Sequence, residues 1–198
     1  MKITTVRHGQ TLWNTERRIQ GQTDIALDDV GLQQAQKLGQ RLANEQIDIV
    51  YSSDLKRAAK TAEAINKHHS AEFVTTQALR ETGFGILEGR LIEEIRQELD
   101  NYRTLNQAPP DGESQSDIFS RVQGFLDEVI ATHHENIVIV AHHGTIRAII
   151  CYFLQIPPNS DERTAFRVGN TAIHCFERES DGKFRMTLEN DILHLNEL

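Results

Sequence analysis

Polar side chains of the kind that handle phosphate follow three apolar runs of the sequence. Arg7 and His8 follow "TTV", Arg57 comes shortly after "IDIVY", and His142 and His143 follow "IVIVA". Guanidinium groups bind phosphate oxygens through paired, charge-assisted hydrogen bonds. A histidine whose free ring nitrogen faces such an anion can attack phosphorus. The residue types and their positions therefore predict a site for phosphoryl chemistry.

A nucleophilic histidine needs one ring nitrogen held as N–H by a fixed acceptor, so that the other nitrogen keeps its lone pair. We expect a backbone carbonyl to do this for His8, and Gly9 to let the chain pass close to the anion. Glu81, in "LRETGFGILEG", is the carboxylate that we expect to protonate the leaving oxygen and later to activate water.

The elements that must position these residues alternate along the chain. Short runs rich in β-branched residues predict strands at 2–6, 47–53, 71–76, 136–144, 171–177 and 183–190. Amphipathic patterns predict helices at 27–46, 53–69, 91–103, 113–134 and 144–154. The alternation predicts an α/β fold with a mainly parallel central sheet flanked by helices. The carboxyl ends of parallel strands meet at one edge, where we expect the polar residues to converge.

The prediction specifies the N-cap and buried face of one helix and the role of one insertion. In the helix at 27–46, Asp28 is the predicted N-cap, and the apolar face is predicted to be Leu32, Ala35, Leu38 and Leu42. The segment from about 82 to 116 interrupts the alternation and is predicted to cap the sheet edge. With 198 residues and no linker or repeat, the chain is predicted to be a single domain, 1–198, with that capping insertion.

The formal net charge of -8 argues against a general affinity for nucleic acid or anionic membranes. The longest apolar runs are far shorter than the roughly 20 residues of a membrane span. The start of the chain lacks the features of a signal peptide, so we expect a cytoplasmic protein. Cys151 and Cys175 stand inside apolar runs, which is typical of buried thiols.

The ordered motifs "RHGQTLWN" (7–14), "YSSDLKRAAKTAE" (51–63), "LRETGFGILEG" (79–89) and "VAHHGTIR" (140–147) resemble the histidine phosphatase superfamily, also called the phosphoglycerate mutase-like family. The resemblance spans nearly the whole chain. It implies a three-layer α/β/α sandwich and catalysis through a phosphohistidine, with no metal and no cofactor. It also implies a small-molecule phosphate ester as the partner, and it leaves the oligomeric state open.

The resemblance assigns expected roles by motif position. His8 resembles the phosphorylated nucleophile and Glu81 the proton donor and acceptor. Arg7, Arg57 and His142 resemble the side chains around the phosphoryl group.

Three further residues are expected at the substrate. Asn14 resembles a phosphate ligand through its side-chain amide, and Gln20 matches a position near the same pocket. His143 stands where the family often has a small residue, and it could line the pocket or turn away from it.

Several functions stay open at this point. The stretch after Glu81 lacks the arginine pair of the cofactor-dependent mutases, which favours the small phosphatase branch with its broad-specificity and α-ribazole phosphatases. We therefore expect a phosphomonoesterase acting on a small phosphorylated metabolite, with phosphoglycerate mutase as the runner-up. A metal-dependent hydrolase using His8, His142, His143 and Glu81 as ligands would lose activity on chelation. A silent phospho-ligand binding module would bind without turnover, although binding alone needs neither a nucleophile nor an acid.

Overall fold

The computed structural model describes residues 1–104, 106–158 and 160–196. Its strands, β1 to β6 in chain order, are Lys2–Arg7, Ile49–Ser53, Glu72–Thr76, Asn136–Ala141, Ile173–Arg178 and Phe184–Asp191. Its helices, α1 to α6, are Leu12–Thr15, Asp29–Leu42, Lys56–Asn66, Ile92–Thr104, Gln115–Ile130 and His143–Leu154. Every predicted strand and helix is present, and α1 was not predicted. The domain range of 1–198 stays a prediction, and residues 105, 159, 197 and 198 lie outside the described residues.

The strands form one sheet in the order β3-β2-β4-β1-β5-β6. Strand β4 pairs in parallel with β1 and β2, and β2 pairs in parallel with β3. Strand β5 is antiparallel to β1, and β6 is antiparallel to β5. The mainly parallel sheet is confirmed, and the carboxyl ends of β1, β2 and β4 lie at one edge.

Alternating side chains of the central strands divide between two hydrophobic clusters. In β4, Ile137 and Ile139 belong to the cluster that includes residues of α5 and α6. Val138 and Val140 belong to the other cluster, with residues of α2 and α3. Successive side chains of a strand point to opposite faces of the sheet. Each face is therefore covered by its own helices, and the predicted three-layer α/β/α sandwich is confirmed.

Helix α2 differs from its predicted face. Asp28 is the N-cap as expected, accepting a 2.7 Å hydrogen bond from the Gly31 backbone N–H. Leu32 is 37% exposed, however, so its predicted place in the apolar face is wrong. The first turn of α2 approaches the loop after β1 through Gly31 instead. A Cβ atom at Gly31 would lie 2.0 Å from the Gln10 carbonyl oxygen, so this contact requires glycine and turns Leu32 toward solvent.

The segment from 82 to 116 carries a 3-10 turn, Gly85–Leu87, and helix α4. Isolated β-bridges join Arg18 to Leu91 and Phe84 to Gly112. Its apolar side chains form a third hydrophobic cluster apart from the two that flank the sheet, built around Ile19, Leu87, Ile95 and Leu99. Burial of these side chains against Ile19 fixes the segment to the loop that follows α1.

The structure also bears on membrane-spanning helices and on the two cysteines. In the described ranges no helix is long and apolar enough to cross a membrane. Cys151 and Cys175 are free and buried, which confirms the expected buried thiols.

Candidate active site

A pocket of about 320 Å³ lies at the carboxyl edge of β1 and β4. Every predicted site residue except His142 lines it; these are Arg7, His8, Asn14, Gln20, Arg57, Glu81 and His143. His142 is fully buried directly beside it, with its ring centroid 5.1 Å from that of His8. The parallel strands thus bring together residues that span 137 positions of the sequence, from 7 to 143.

His8 is held as a neutral ring with one defined acceptor nitrogen. Its Nδ1 lies 2.7 Å from the Gly9 carbonyl oxygen, which can only accept, so Nδ1 carries the proton. Nε2 therefore keeps its lone pair. Burial, followed by the positive charges of Arg57 and Arg7, holds the pKa of His8 well below its usual range. The expected backbone acceptor is present, and the ring is uncharged at neutral pH.

The loop that carries His8 is fixed by buried polar contacts. The Gly9 N–H donates to the Thr61 hydroxyl at 3.1 Å, and that hydroxyl donates to the Arg57 carbonyl at 2.8 Å. On the other side, the Asn170 amide donates to the His8 carbonyl at 3.1 Å. A Cβ atom at Gly9 would lie 2.5 Å from the Gly31 carbonyl oxygen, so glycine is needed here for the packing of α2.

Arg57, on the first turn of α3, is fully buried with its guanidinium group fixed on three sides. Nη1 donates to the Thr23 carbonyl and Nη2 to the Gly21 carbonyl, each at 2.7 Å. Nε donates to Nδ1 of His142 at 3.2 Å. Burial lowers the pKa of Arg57 to about 10, so it stays positively charged at neutral pH.

This contact with Arg57 also defines the proton position on His142. Because Nδ1 accepts from Arg57, a neutral His142 carries its proton on Nε2. That nitrogen is buried and has no hydrogen-bond partner among the described residues. Burial and then Arg57 hold the pKa of His142 well below its usual range, which keeps the ring neutral. His142 thus offers an N–H donor beside His8.

Glu81 is anchored at the start of α6, where His142 is the N-cap. Its Oε1 accepts from the Thr82 N–H at 2.9 Å and from the Gly144 N–H at 3.0 Å, and its Oε2 lies 3.1 Å from the Gly144 nitrogen. A Cβ atom at Gly144 would lie 2.5 Å from Oε1, so a larger residue there would displace the carboxylate. The "HHG" motif therefore ends in glycine because the helix start packs against Glu81.

Arg7 and Asn14 reach the same pocket from the end of β1 and from α1. Arg7 donates from Nη1 to the Val168 carbonyl at 2.7 Å, and burial lowers its pKa to about 10, so it stays charged at neutral pH. The Asn14 oxygen accepts from the Thr11 N–H and hydroxyl, both at 3.1 Å, in the capping box of α1. With its oxygen occupied, Asn14 has its amide N–H groups to offer a ligand.

Gln20 and His143 complete the predicted set. Gln20 lines the pocket, and its Oε1 is buried without a hydrogen-bond partner in the part of the chain that the structure describes. His143 is half-buried and also lines the pocket, which agrees with the first of its two expected placements.

Sequence reasoning missed three arginines of the lining, namely Arg18, Arg147 and Arg163. Arg147 had a signal, because it stands in the first turn of the predicted helix at 144–154, directly after the predicted site residues His142 and His143. In the structure α6 begins at His143, so His143 and Arg147 lie one turn apart on the same face. Its guanidinium donates to the Thr164 and Phe166 carbonyls. Arg163 lies in the 3-10 helix Asp161–Ala165, where no periodic pattern could have marked it.

Among the described residues, no group of three or more His, Cys, Asp or Glu side chains is arranged to hold a metal ion. The arrangement around His8 and Glu81 instead offers a neutral imidazole with one unprotonated nitrogen, a carboxylate and several cationic or neutral N–H donors. This combination suits a tetrahedral oxyanion.

Comparison with known proteins agrees with that geometry. Residues 3–192 match the model of the histidine phosphatase superfamily (branch 1). The chain belongs to this superfamily. It is 37% identical over 206 residues to phosphoglycerate mutase-like protein 4 of Arabidopsis thaliana, covering 99% of this chain and 87% of that protein.

Solved structures of other histidine phosphatase-like proteins share the fold. A mycobacterial glucosyl-3-phosphoglycerate phosphatase superposes with a TM-score of 0.86 at 28% identity, covering 96% of this chain and 98% of that one. A phosphoserine phosphatase from Entamoeba histolytica superposes with a TM-score of 0.84 at 31% identity, covering 98% of each chain. The fold is phosphoglycerate mutase-like. The superfamily and these neighbours are phosphatases and mutases, so membership of the superfamily indicates that the chain is an enzyme.

Proposed function

We propose that the protein is a phosphomonoesterase that hydrolyses a small phosphorylated metabolite through a phosphohistidine at His8. The observation that carries the proposal is the hydrogen bond from His8 Nδ1–H to the Gly9 carbonyl, because it leaves the Nε2 lone pair available in a site rich in positive charge. A pocket that served only to bind phosphate would not need this nitrogen unprotonated.

In the first step, Nε2 of His8 attacks phosphorus in line with the ester oxygen. The N–P bond forms as the P–O bond to the leaving group breaks, and Glu81 gives its proton to the departing oxygen. Arg7 and Arg57 offset the charge on the equatorial oxygens, with the N–H groups of His142 and Asn14 as further donors.

In the second step, the Glu81 carboxylate takes a proton from water as the water oxygen attacks phosphorus. The N–P bond breaks, inorganic phosphate leaves, and the His8 ring returns to its neutral form. The segment from 82 to 116 supplies Phe84 and Ile92 to the pocket wall, and we propose it as the cap that shields the reaction from bulk water.

A mutase is the second candidate, favoured by the mutase-like relative from Arabidopsis thaliana. It would share the first step and then return the phosphoryl group to a second hydroxyl of the substrate instead of to water. The two candidates differ in whether inorganic phosphate is released.

The test compares the wild type with His8→Ala, using p-nitrophenyl phosphate in the presence of excess EDTA. We expect turnover that survives chelation and falls by about 10⁴-fold or more without the nucleophile. Activity abolished by EDTA would overturn the mechanism in favour of a metal-dependent one. Phosphoglycerate isomerised without phosphate release would identify a mutase, and binding of phosphate esters without turnover would identify a silent binding module.

A further inference from the structure

Arg57 is a buried cation whose hydrogen-bond acceptors are neutral. It is fully buried, and its guanidinium donates to the Gly21 and Thr23 carbonyls and to the ring of His142. A buried charge needs a counter-charge or dipoles directed at it, because burial removes its stabilisation by water. The position of Arg57 therefore depends on the loop 21–23, which supplies two of these three acceptors.

The carboxylate of Glu88 holds the N–H groups of the same loop. Its Oε1 accepts from the Gln22 N–H at 2.9 Å and from the Phe84 N–H at 3.1 Å. Its Oε2 accepts from the Thr23 N–H at 2.9 Å and from the Thr23 hydroxyl. Hydrogen bonds to an ionised carboxylate are stronger than those between neutral groups. Glu88 therefore fixes the donors of the loop whose carbonyls hold Arg57.

One peptide unit lies between the two charged groups. The Gly21 carbonyl accepts from Arg57 Nη2 at 2.7 Å, and the Gln22 N–H that donates to Glu88 belongs to the same planar unit. In a trans peptide the C=O and N–H bonds point in opposite directions, so the oxygen faces the guanidinium and the N–H faces the carboxylate. Hydrogen bonds linked in this way polarise and strengthen one another. A change at Glu88 is therefore transmitted to Arg57 through a single peptide unit.

The backbone on both sides of this contact allows the close approach. Gly21 has a φ of 51°, and a Cβ atom there would lie 2.0 Å from Oε1 of Glu88, so the contact requires glycine. Next to Glu88, the Gly89 N–H donates to the Ile19 carbonyl at 2.8 Å, and the Ile19 N–H donates to the Arg90 carbonyl at 3.0 Å. These backbone hydrogen bonds hold the carboxylate against the loop.

Glu88 itself is not among the described residues that line the pocket around His8. Its charge nevertheless acts on the cation of that pocket. Burial lowers the pKa of Arg57 to about 10, and the carboxylates of Glu81, Asp24 and Glu88 oppose this shift. Glu88 therefore acts on the pocket through Arg57 and the loop, without a place at the phosphoryl group.

We propose that Glu88 is a positioning residue that holds Arg57 at the phosphoryl site through the peptide unit between Gly21 and Gln22. The proposal rests on the phosphomonoesterase function and adds a residue that fixes one of its cations. Because Glu88 belongs to the segment from 82 to 116, this segment contributes to phosphoryl binding as well as to the pocket wall. A glutamine at this position would turn an NH₂ group, which cannot accept, toward N–H donors of the loop.

A double-mutant cycle between Glu88→Gln and Arg57→Ala tests the proposal. The readouts are kcat/KM for p-nitrophenyl phosphate and the Kd of inorganic phosphate measured by calorimetry. We expect Glu88→Gln alone to lower kcat/KM about 10-fold and to weaken phosphate binding about 3- to 10-fold. In the Arg57→Ala background the same substitution should change each value by less than about twofold. Equal losses in both backgrounds would overturn the proposal, because Glu88 would then act independently of Arg57.

The matched control is Glu93→Gln, which removes the same charge from an exposed position of the same segment. It should leave kcat/KM within about twofold of the wild type. Glu88→Asp keeps the charge on a shorter side chain and should restore part of the activity that Glu88→Gln loses. Failure of this rescue, or an equal loss in the control, would contradict the role of the Glu88 charge.

Thr23→Val takes the place of Glu88→Gln in the cycle if that variant does not fold. It removes only the hydroxyl donor to Glu88 Oε2 and keeps the size of the side chain. We expect a loss of about 3-fold in kcat/KM, which disappears in the Arg57→Ala background. A loss that persists in that background would overturn the proposal in the same way.

Phosphate binding separates this inference from the function on which it rests. If the wild type shows no turnover, but Glu88→Gln weakens phosphate binding only when Arg57 is present, the phosphatase proposal fails and the positioning role stands. If the wild type turns over and Glu88→Gln changes neither kcat/KM nor the Kd of phosphate, the positioning role fails and the phosphatase stands.

Discussion

The floor of the pocket and its mouth are built in different ways. The floor consists of His8, Arg57 and Glu81, with His142 buried beside them. His8, Arg57 and His142 lie at strand ends or helix starts, and Glu81, in a loop, is held by backbone N–H groups at the start of α6. The mouth consists of Ile19, Phe84, Ile92, Arg147 and Arg163, most of which come from loops, 3-10 turns and the segment from 82 to 116.

The difference separates chemistry from selectivity. The proposed attack and proton transfer require fixed geometry, and the floor groups are held in place by hydrogen bonds to the backbone. The mouth is carried by segments that tolerate sequence change, so relatives can accept different leaving groups over the same floor. Substitutions in the floor should therefore act on kcat, and substitutions in the mouth on KM.

After the loss of His8 itself, the largest expected effect comes from Glu81→Gln in the floor. Loss of the proton donor should slow phosphorylation of the enzyme by an alkyl phosphate about 10²- to 10⁴-fold, with a small change in KM. p-Nitrophenolate leaves without protonation, so its phosphate ester should lose much less rate. Single-turnover measurements with both esters check this expectation. An equal loss for the two esters would show that Glu81 does not act as the acid.

An effect of intermediate size is expected in the pH dependence of the free energy of unfolding. Burial lowers the pKa of His174, on β5, to about 4 from an ordinary value of 6.5. The unfolded chain then binds more protons between these values, so stability is complete above about pH 6.5 and is lost as the pH falls toward 4. For His174 alone the loss amounts to about 3 kcal/mol.

Urea unfolding at pH 7.5 and pH 4.5 measures this loss for the wild type and for His174→Gln, which keeps a hydrogen-bond acceptor but cannot gain a proton in this range. The variant should lose less stability on acidification, although His8 and His142 still contribute in the same direction. His133→Gln, at an exposed position, is the control and should behave as the wild type. An identical pH dependence for His174→Gln would contradict the assignment.

The smallest expected effect lies in the mouth. Phe84→Ala removes a partly buried ring that packs on the cluster of Ile19 and Leu87 and lines the pocket. We expect KM to rise about 3- to 10-fold, with kcat within about twofold of the wild type. Steady-state measurements of kcat and KM test this expectation. A fall in kcat as large as that of Glu81→Gln would contradict the distinction between floor and mouth.

His8, Arg57 and His142 were predictable because they follow strand ends, and strands are readable from runs of β-branched residues. Glu81 follows no strand directly and was predicted from its motif. The direction of β5 and β6 was not, since an antiparallel strand has the same local pattern as a parallel one. Leu32 was misplaced because the contact between Gly31 and Gln10 depends on tertiary packing. The place of Arg163 in the pocket lining was not predicted, because Arg163 lies in a short 3-10 helix within a loop, where no periodic pattern marks the residues that face the pocket.

The buried N–H groups of Arg7 Nε and His142 Nε2 have consequences for evolution as well as for catalysis. Each is a donor that no described residue satisfies, and each lies next to positive charge. Filling the pocket with acceptor side chains would strengthen the fold and abolish the site. Selection for thermostability alone would therefore act against this edge of the sheet first, so durability and the function of this pocket place opposite demands on the same residues.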